Sequence, residues 1–140
     1  MDIICAVSEN GVIGSEGKLP WYIPEDLKWF RNITVNRTVV MGRNTWESIG
    51  LLPNRRNVVI TSVPIDGVTT YKSLQECAYS ESDIIVIGGA RLFEEAMHSV
   101  DKIYLTRIHK CVNGDTFFEP NLSGKECIYS RQGDGYTFYQ

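Results

Sequence analysis

The sequence predicts a single α/β domain with a mostly parallel sheet, helices on both faces and an antiparallel strand at its C-terminal end. Short apolar segments alternate with segments of helical character along the chain, which is typical of α/β proteins. The segment DIIVI, residues 83–87, is a continuous apolar run, as expected for a central parallel strand buried on both faces. Residues 127–132 and 136–140 flank a Gly-Asp-Gly turn and predict an antiparallel hairpin.

Local signals place the individual elements. Strands are predicted at residues 2–8, 38–42, 57–62, 83–87 and 101–109, and helices at 25–36, 45–50, 74–79 and 90–98. Pro24 opens the first helix, and Glu25 and Asp26 follow in the first turn, where the helix dipole favours acids. Asn44 and the glutamate three residues later predict a capping box for the second helix. Ser73 predicts the cap of the third helix.

Length and composition are those of one ordinary globular domain covering residues 1–140. A hydrophobic content of 43% and a charged content of 22% exclude a disordered, coiled-coil or fibrous chain. A formal net charge of −3 argues against nucleic acid as a partner. No apolar run is long enough for a membrane span, and the acidic start is unlike a signal peptide. We therefore expect a cytoplasmic protein without a membrane partner.

The cysteines and histidines give no indication of a metal site. The four cysteines contain no C-x-x-C pair, and the two histidines are 11 residues apart without an H-E-x-x-H motif. Zinc sites normally show one of these spacings. We expect four free thiols and no bound metal.

Three predicted strands end in residues suited to bind a phosphate. These ends are Gly42-Arg43, Thr61-Ser62 and Gly88-Gly89 followed by Arg91. Ligands of open α/β sheets bind outside the carboxyl ends of the strands, and glycine allows the backbone to approach them closely. Arginines and hydroxyls in place of an acidic residue favour a 2′-phosphate, and therefore NADP(H). The alternative is that both arginines are solvated surface residues.

Asp26 is the strongest candidate for a catalytic side chain. At helical spacing it shares a face with Phe30 and Ile33, beside Leu27. A carboxylate in such apolar surroundings has a raised pKa and can accept a pair of N–H groups from one ligand. A 2-amino-4-oxopteridine presents that pair. The alternative is a residue that only stabilises the start of its helix.

Trp21 and Arg55 are weaker candidates with two interpretations each. Trp21 precedes the first helix in the segment LPWYIP, where it could hold a bound water or simply pack beneath the loop. Arg55, in the loop segment PNRRN, could bind a ligand carboxylate or could be an ordinary exposed arginine.

Five motifs, in this order and spacing, resemble the dihydrofolate reductase family. They are AVSENGVIG, LPWYIPEDLKWF, VVMGRNTWESIG, IVIGGARLF and the pair YLTRI and GDTFF, and they extend from Ile3 to Phe118. The resemblance implies an eight-stranded sheet with about four helices. It also implies reduction of 7,8-dihydrofolate to tetrahydrofolate with NADPH, by hydride transfer to C6 and protonation at N5. Dihydrofolate and antifolate-type small molecules are the partners it implies, with the chain acting as a monomer.

The resemblance also implies roles for individual residues. Asp26 would bind the pterin, Thr106 would support it by a hydrogen bond, and Trp21 would hold a water. The substrate pocket would comprise Ile4, Ala6, Leu27, Phe30, Ile49 and Leu52, with Arg55 on the glutamate carboxylate. The cofactor would be bound by Ala6, Ile13, Gly14, Gly42, Arg43, Asn44, Thr45, Thr61, Ser62, Gly88, Gly89, Ala90, Arg91, Leu92 and Phe93. Residues 9–24 would form a mobile lid, supported by Gly114 and Asp115.

Two other functions remain open at this point. A non-catalytic protein could use pterin and nucleotide pockets to serve an assembly or regulatory partner. A reductase of similar fold could act on a pyrimidine intermediate of riboflavin synthesis. Asp26 beside Leu27 and Phe30 favours a pterin over that intermediate.

Overall fold

The computed structural model describes residues 1–140 and contains ten strands and four helices. In chain order these are β1 (Asp2–Ser8), β2 (Val12–Gly14), α1 (Pro24–Thr34), β3 (Thr38–Gly42), α2 (Arg43–Ile49), β4 (Arg56–Ile60), β5 (Thr69–Tyr71), α3 (Leu74–Ser80), β6 (Ile84–Gly88), α4 (Ala90–Ala96), β7 (Lys102–Ile108), β8 (Thr116–Phe117), β9 (Ser130–Gln132) and β10 (Tyr136–Tyr139).

Eight of the strands form one sheet, in the order β5-β4-β3-β6-β1-β7-β10-β9. Every pairing from β5 to β7 is parallel. Strand β10 is antiparallel to β7, and β9 is antiparallel to β10. The predicted eight-stranded, mostly parallel sheet with an antiparallel C-terminal strand is therefore confirmed. Strands β2 and β8 form a separate antiparallel ribbon.

Helices cover both faces of the sheet. Because successive side chains of a strand point to opposite faces, Ile3 and Ile4 of β1 belong to different core clusters. Ile3 packs in the cluster that contains apolar residues of α3 and α4. Ile4 packs in the cluster that receives Trp29 from α1 and Trp46 from α2. The central strands can therefore be apolar along their whole length, as DIIVI is.

The last strand of the chain supports the first helix. The indole ring of Trp29, on α1, stacks on the ring of Phe138, on β10, with centroids 4.6 Å apart and an interplanar angle of 6°. Phe138 is fully buried and lies opposite Thr106 in the pairing of β10 with β7. Helix α1 therefore rests on the antiparallel end of the sheet.

Of the two helix caps predicted from the sequence, one is confirmed and one is wrong. Ser73 caps α3 as predicted, because its Oγ accepts a hydrogen bond from the backbone N–H of Glu76 at 3.1 Å. The predicted capping box at Asn44 is wrong. Strand β3 continues directly into α2, so Gly42 is the N-cap, no side chain caps the helix, and Asn44 lies inside its first turn.

Some predicted boundaries also differ from the structure. Helix α1 ends at Thr34 instead of residue 36, because the backbone of Val35 turns to an extended ψ of 138°, and Asn36 follows with a left-handed φ of 62°. Helix α4 ends at Ala96 instead of residue 98. Strands β2, β5 and β8 were not predicted. Each has only two or three residues, too few to show a periodic pattern.

None of the helices has the length and apolar composition that crossing a lipid bilayer requires. All four cysteines are free thiols, with Cys5 and Cys77 buried and Cys111 and Cys127 exposed.

Candidate active site

A cleft of about 1190 Å³ runs along the carboxyl halves of the parallel strands. Its walls come from β1, β3, β4 and β6, together with α1, α2 and the start of α4. This is where ligands of open α/β sheets bind. The position agrees with the strand ends that the sequence singled out.

Every candidate site residue from the sequence lines this cleft except Trp21. Those residues are Ile4, Ala6, Ile13, Gly14, Asp26, Leu27, Phe30, Gly42, Arg43, Asn44, Thr45, Ile49, Leu52, Arg55, Thr61, Ser62, Gly88, Gly89, Ala90, Arg91, Leu92, Phe93 and Thr106. The fold thus gathers segments that lie up to 102 positions apart in the chain, Ile4 and Thr106 being the outermost.

Asp26 is a buried carboxylate in an otherwise apolar part of the cleft. It lies in the first turn of α1, which begins at Pro24, and is only 9% exposed. Ile4, Leu27 and Phe30 line the same region. Burial raises the pKa of the Asp26 carboxyl, and a hydrogen bond from Thr106 partly opposes that effect. Such a group can accept hydrogen bonds from a ligand and can exchange a proton near neutral pH more readily than an exposed aspartate.

Thr106 fixes the orientation of that carboxylate. Its hydroxyl Oγ1 donates to Asp26 Oδ1 at 2.7 Å. Thr106 is 1% exposed and is held in the sheet between Ala6 of β1 and Phe138 of β10. Because the backbone on both sides is fixed by strand pairing, the hydroxyl has little freedom to move away from Asp26.

Trp21 lies outside the cleft lining. It packs against the cluster of Ile108, Tyr136 and Phe138, as the packing interpretation of this residue predicts. Its buried indole Nε1–H has no hydrogen-bond partner within the protein. A buried donor of this kind is normally satisfied by water, so the interpretation that Trp21 holds a water stays a prediction.

Arg55 lies at one end of the cleft and is anchored by the protein. Its Nε donates to Thr34 Oγ1 at 2.9 Å, and its Nη1 donates to the carbonyl of Pro53 at 3.1 Å. The guanidinium lies 5.9 Å from the ring centroid of Phe30. Burial and the neighbouring Arg31 lower the pKa of Arg55. No carboxylate of the chain pairs with it, so a ligand carboxylate would meet an uncompensated cation.

The opposite end of the cleft carries cations and hydroxyls. Arg91 is exposed and forms no ion pair within the chain. Arg43 is half-exposed, and its Nε donates to Glu47 Oε1 at 3.1 Å. Thr61 and Ser62 follow β4 at the same end.

Glycine is required in the part of the cleft wall formed by the end of β6. Gly88, at the end of β6, has a φ of +146°, which side-chain-bearing residues rarely adopt. A Cβ there would also lie 3.1 Å from Thr45 Oγ1. Thr45 and Gly88 therefore pack closely, and both line the cleft.

The segment from Glu9 to Ile23, which includes β2, lines part of the cleft and is held on two sides by hydrogen bonds. Ser15 and Lys18 exchange backbone hydrogen bonds of 2.8 and 3.0 Å and form a tight turn. Glu16 N–H donates to Asp115 Oδ2 at 3.0 Å, next to the β2–β8 ribbon. Ser48 Oγ, on α2, donates to the Gly17 carbonyl at 2.6 Å from the other wall.

Comparison with known proteins agrees with this geometry. Residues 1–134 match the family model described as dihydrofolate reductase. The chain belongs to the dihydrofolate reductase family. A dihydrofolate reductase of Staphylococcus aureus is 43% identical over 124 residues, covering 86% of this chain and 78% of its own. One of Bacillus subtilis is 39% identical over 142 residues, covering 95% and 84%.

A solved structure supports the same assignment at the level of the fold. It is a dihydrofolate reductase from Enterococcus faecalis complexed with NADP(H) and RAB-propyl. It is 39% identical to this chain, with a TM-score of 0.89, and the match covers 99% of this chain and 92% of that one. The eight-stranded dihydrofolate reductase fold implied by the sequence is therefore confirmed.

Several cleft residues were not among those predicted to bind substrate or cofactor. Gly17, Lys18, Leu19 and Asp115 belong to the segment predicted as a lid or to its predicted support. The others are Cys5, Ser48, Ile60, Lys72, Ile87, Glu95 and Thr116. Lys72 follows β5, a strand too short to be predicted, so nothing indicated that it would face the cleft. Ser48 is recognisable only once the segment that contains Gly17 is placed against α2.

Proposed function

We propose that this member of the dihydrofolate reductase family reduces 7,8-dihydrofolate to 5,6,7,8-tetrahydrofolate with NADPH, supplying one-carbon metabolism. One observation carries the proposal. A buried carboxylate, Asp26, is held by Thr106 in the apolar wall of a cleft whose far end carries Arg43 and Arg91. This arrangement joins a site for a flat heterocycle with N–H donors to a site for phosphate.

The residues at the cation-lined end suit NADPH. When bound, NADPH supplies the hydride that reduces the pterin at C6. Arg43 and Arg91, with Thr61 and Ser62, provide the charge and hydroxyls that a 2′-phosphate requires. A Cβ at Gly88 would crowd Thr45 at 3.1 Å, and the bare backbone allows a large group to approach. Gly42, Asn44 and the residues from Gly89 to Phe93 would contact the rest of the cofactor, and Ala6, Ile13 and Gly14 its nicotinamide.

The residues at the other end suit the substrate. Asp26 would accept hydrogen bonds from the 2-amino group and N3 of the pterin. Its raised pKa would let it favour protonation at N5 through solvent. Arg55, which has no carboxylate partner, would bind the glutamate. Apolar contact with the pterin and aminobenzoyl groups would come from Ile4, Ala6, Leu27, Phe30, Ile49 and Leu52. Antifolate-type molecules with the same N–H pair would use the same wall.

The decisive experiment mixes purified protein with NADPH and dihydrofolate and follows the loss of NADPH absorbance. We expect oxidation that requires both compounds and a higher kcat/KM with NADPH than with NADH. Equal kcat/KM for the two cofactors would contradict the assignment of the arginines. Tight binding of both ligands without oxidation would favour a non-catalytic assembly protein. Turnover of a riboflavin-pathway pyrimidine in preference to dihydrofolate would favour the related reductase.

We also propose that the chain acts in the cytoplasm as a single-domain monomer comprising residues 1–140. Four free thiols suit a reducing compartment. A single chain supplies all the residues proposed here to bind substrate and cofactor. Light scattering on the active protein measures the mass, and a mass of twice 15.9 kDa would contradict the monomer.

A further inference from the structure

Arg43 differs from every other cation of the cleft, because it is the only one paired with a carboxylate. The cations that line the cleft are Lys18, Arg43, Arg55, Lys72 and Arg91. Of these, only Arg43 forms an ion pair, with Glu47 one helical turn later at 3.1 Å. Glu47 does not itself line the cleft. A charge of opposite sign therefore sits immediately behind one of the two arginines assigned to the cofactor phosphate.

The contact leaves the binding edge of Arg43 available. Glu47 Oε1 accepts from Nε only, and no group in the protein bonds to Nη1 or Nη2. A phosphate prefers a pair of guanidinium N–H groups, and that pair remains accessible. Glu47 can therefore act on a bound phosphate while Arg43 is still in contact with it.

Two effects of Glu47 on a phosphate oppose each other. By holding the guanidinium, Glu47 reduces the entropy that binding costs, but an exposed i,i+4 pair changes an equilibrium by only about twofold. By its charge, Glu47 repels the phosphate, which carries nearly two negative charges at neutral pH. Both side chains are about half exposed, 47% for Arg43 and 58% for Glu47, so water screens the repulsion without removing it. Across a guanidinium group the repulsion amounts to about threefold to tenfold in affinity, and it exceeds the orienting effect.

We infer that Glu47 is a specificity-determining residue that weakens recognition of the cofactor 2′-phosphate by Arg43. This inference rests on the proposed use of NADPH and of Arg43. It predicts that the chain discriminates between NADPH and NADH less strongly than its arginines alone would allow. It also predicts that the loss of affinity is specific to the phosphorylated nucleotide, because NADH presents no charge at that position.

The test compares Glu47→Gln with Glu126→Gln by fluorescence titration of each protein with NADPH and with NADH. Glutamine keeps an oxygen that can accept from Arg43 Nε, so the change removes charge and little else. Glu126 is an exposed residue that neither lines the cleft nor forms an ion pair, so E126Q controls for the change in net charge. We expect E47Q to lower the Kd for NADPH by about threefold to tenfold, with the Kd for NADH within twofold of wild type. The gain should shrink at high salt, and E126Q should match wild type.

Three results would overturn the inference. Weaker NADPH binding by E47Q would mean that orienting Arg43 is the larger effect. An unchanged Kd would mean that Glu47 has no influence, and an equal gain in E126Q would mean that only net charge matters. Failure of the proposed function gives a different result, in which the wild-type protein binds neither nucleotide or binds both equally.

Discussion

The two ends of the cleft place their charged groups in opposite environments, one buried and one exposed. At the Asp26 end, one carboxylate is removed from water, surrounded by apolar side chains and oriented by a single hydroxyl. At the Arg43 end, cations and hydroxyls remain largely in contact with water. A buried charge responds strongly to its few neighbours, whereas an exposed charge is screened.

The difference teaches where catalysis and recognition are each best placed. A proton-exchanging group benefits from burial, because desolvation moves its pKa toward the working pH. A phosphate-binding group benefits from exposure, because a dianion must exchange its water for protein contacts and leave again after turnover. Substitutions at the buried end should therefore affect chemistry, and those at the exposed end should affect the choice of cofactor.

The largest effect is expected at Asp26. Asp26→Asn keeps the shape of the side chain and an acceptor for Thr106 but removes the ionisable group. Because groups in this role contribute about 100-fold to 10,000-fold, we expect kcat/KM to fall by at least about 100-fold. Steady-state kinetics with dihydrofolate and NADPH measure it. The control is Glu25→Gln, which changes an exposed acid in the same helical turn and should leave kcat/KM nearly unchanged. A loss below about tenfold, or 1.4 kcal/mol, would refute the catalytic role of Asp26.

A smaller and more selective effect is expected at the exposed end. Arg43→Ala removes a charge-assisted contact worth about 1.5–3 kcal/mol. We expect kcat/KM with NADPH to fall by about 10-fold to 100-fold, with kcat/KM for NADH little changed. Arg131→Ala, on β9 and outside the cleft, provides the matched control. An equal loss with both cofactors would show that Arg43 does not recognise the phosphate.

A substitution at Thr106 tests how its hydrogen bond affects the pKa of Asp26. Thr106→Val preserves the shape of the side chain and removes the hydroxyl. The hydrogen bond from Thr106 lowers the pKa of Asp26, so its loss should move the Asp26 limb of the pH profile of kcat/KM to higher pH. We also expect kcat/KM near pH 7 to fall by about threefold to tenfold, the range for one hydrogen bond. Thr137→Val, which removes a hydroxyl from the neighbouring strand, should leave the profile in place. A shift to lower pH would contradict this account.

The smallest effect is that of Asp26→Asn on stability. This substitution should lower activity but raise the free energy of unfolding. Because the pKa of Asp26 is raised on folding, ionising this group destabilises the folded state as pH rises through the folded-state pKa. Asp26→Asn should therefore have a higher free energy of unfolding than wild type at pH 7. The difference should vanish below the ordinary aspartate pKa of about 3.9, where both forms are neutral. Urea unfolding of both proteins across this range measures it, and a variant that is less stable at pH 7 would disprove the linkage.

The sequence was most informative where a signal is local and repeated. The apolar run 83–87 predicted a central strand, and Ser73 predicted its helix cap, because in both cases neighbouring residues suffice to define the structure. The capping box at Asn44 failed because the pattern placed residues 43 and 44 before the helix, whereas α2 begins at Arg43, directly after β3. Strands β2, β5 and β8 are defined by their partners, and their own residues carry too little pattern.

The residues of the site also fall into those that a local sequence pattern indicates and those that depend on tertiary structure. Helical spacing alone makes Asp26 a candidate, because a carboxylate on an apolar stripe is unusual, although it leaves a role at the helix start open. The position of Thr106 beside it depends on the register of β7 against β1 and β10, which no local pattern contains. Ser48 lies in the cleft because the segment containing Gly17 packs against α2, and Lys72 because it follows the short edge strand β5. Those placements are tertiary, and the residues themselves give no signal.

The stacking of Trp29 on Phe138 makes one end of the cleft depend on a part of the chain that is translated late. Asp26 is translated early, yet its helix rests on Phe138, a residue 112 positions later in the chain. Thr106, which orients Asp26, pairs with the same late strand. A nascent chain that has emerged only through β7 therefore has its carboxylate but not the surface that holds α1. The other end differs, because strands β3, β4 and β6 pair with one another and are all translated before β10.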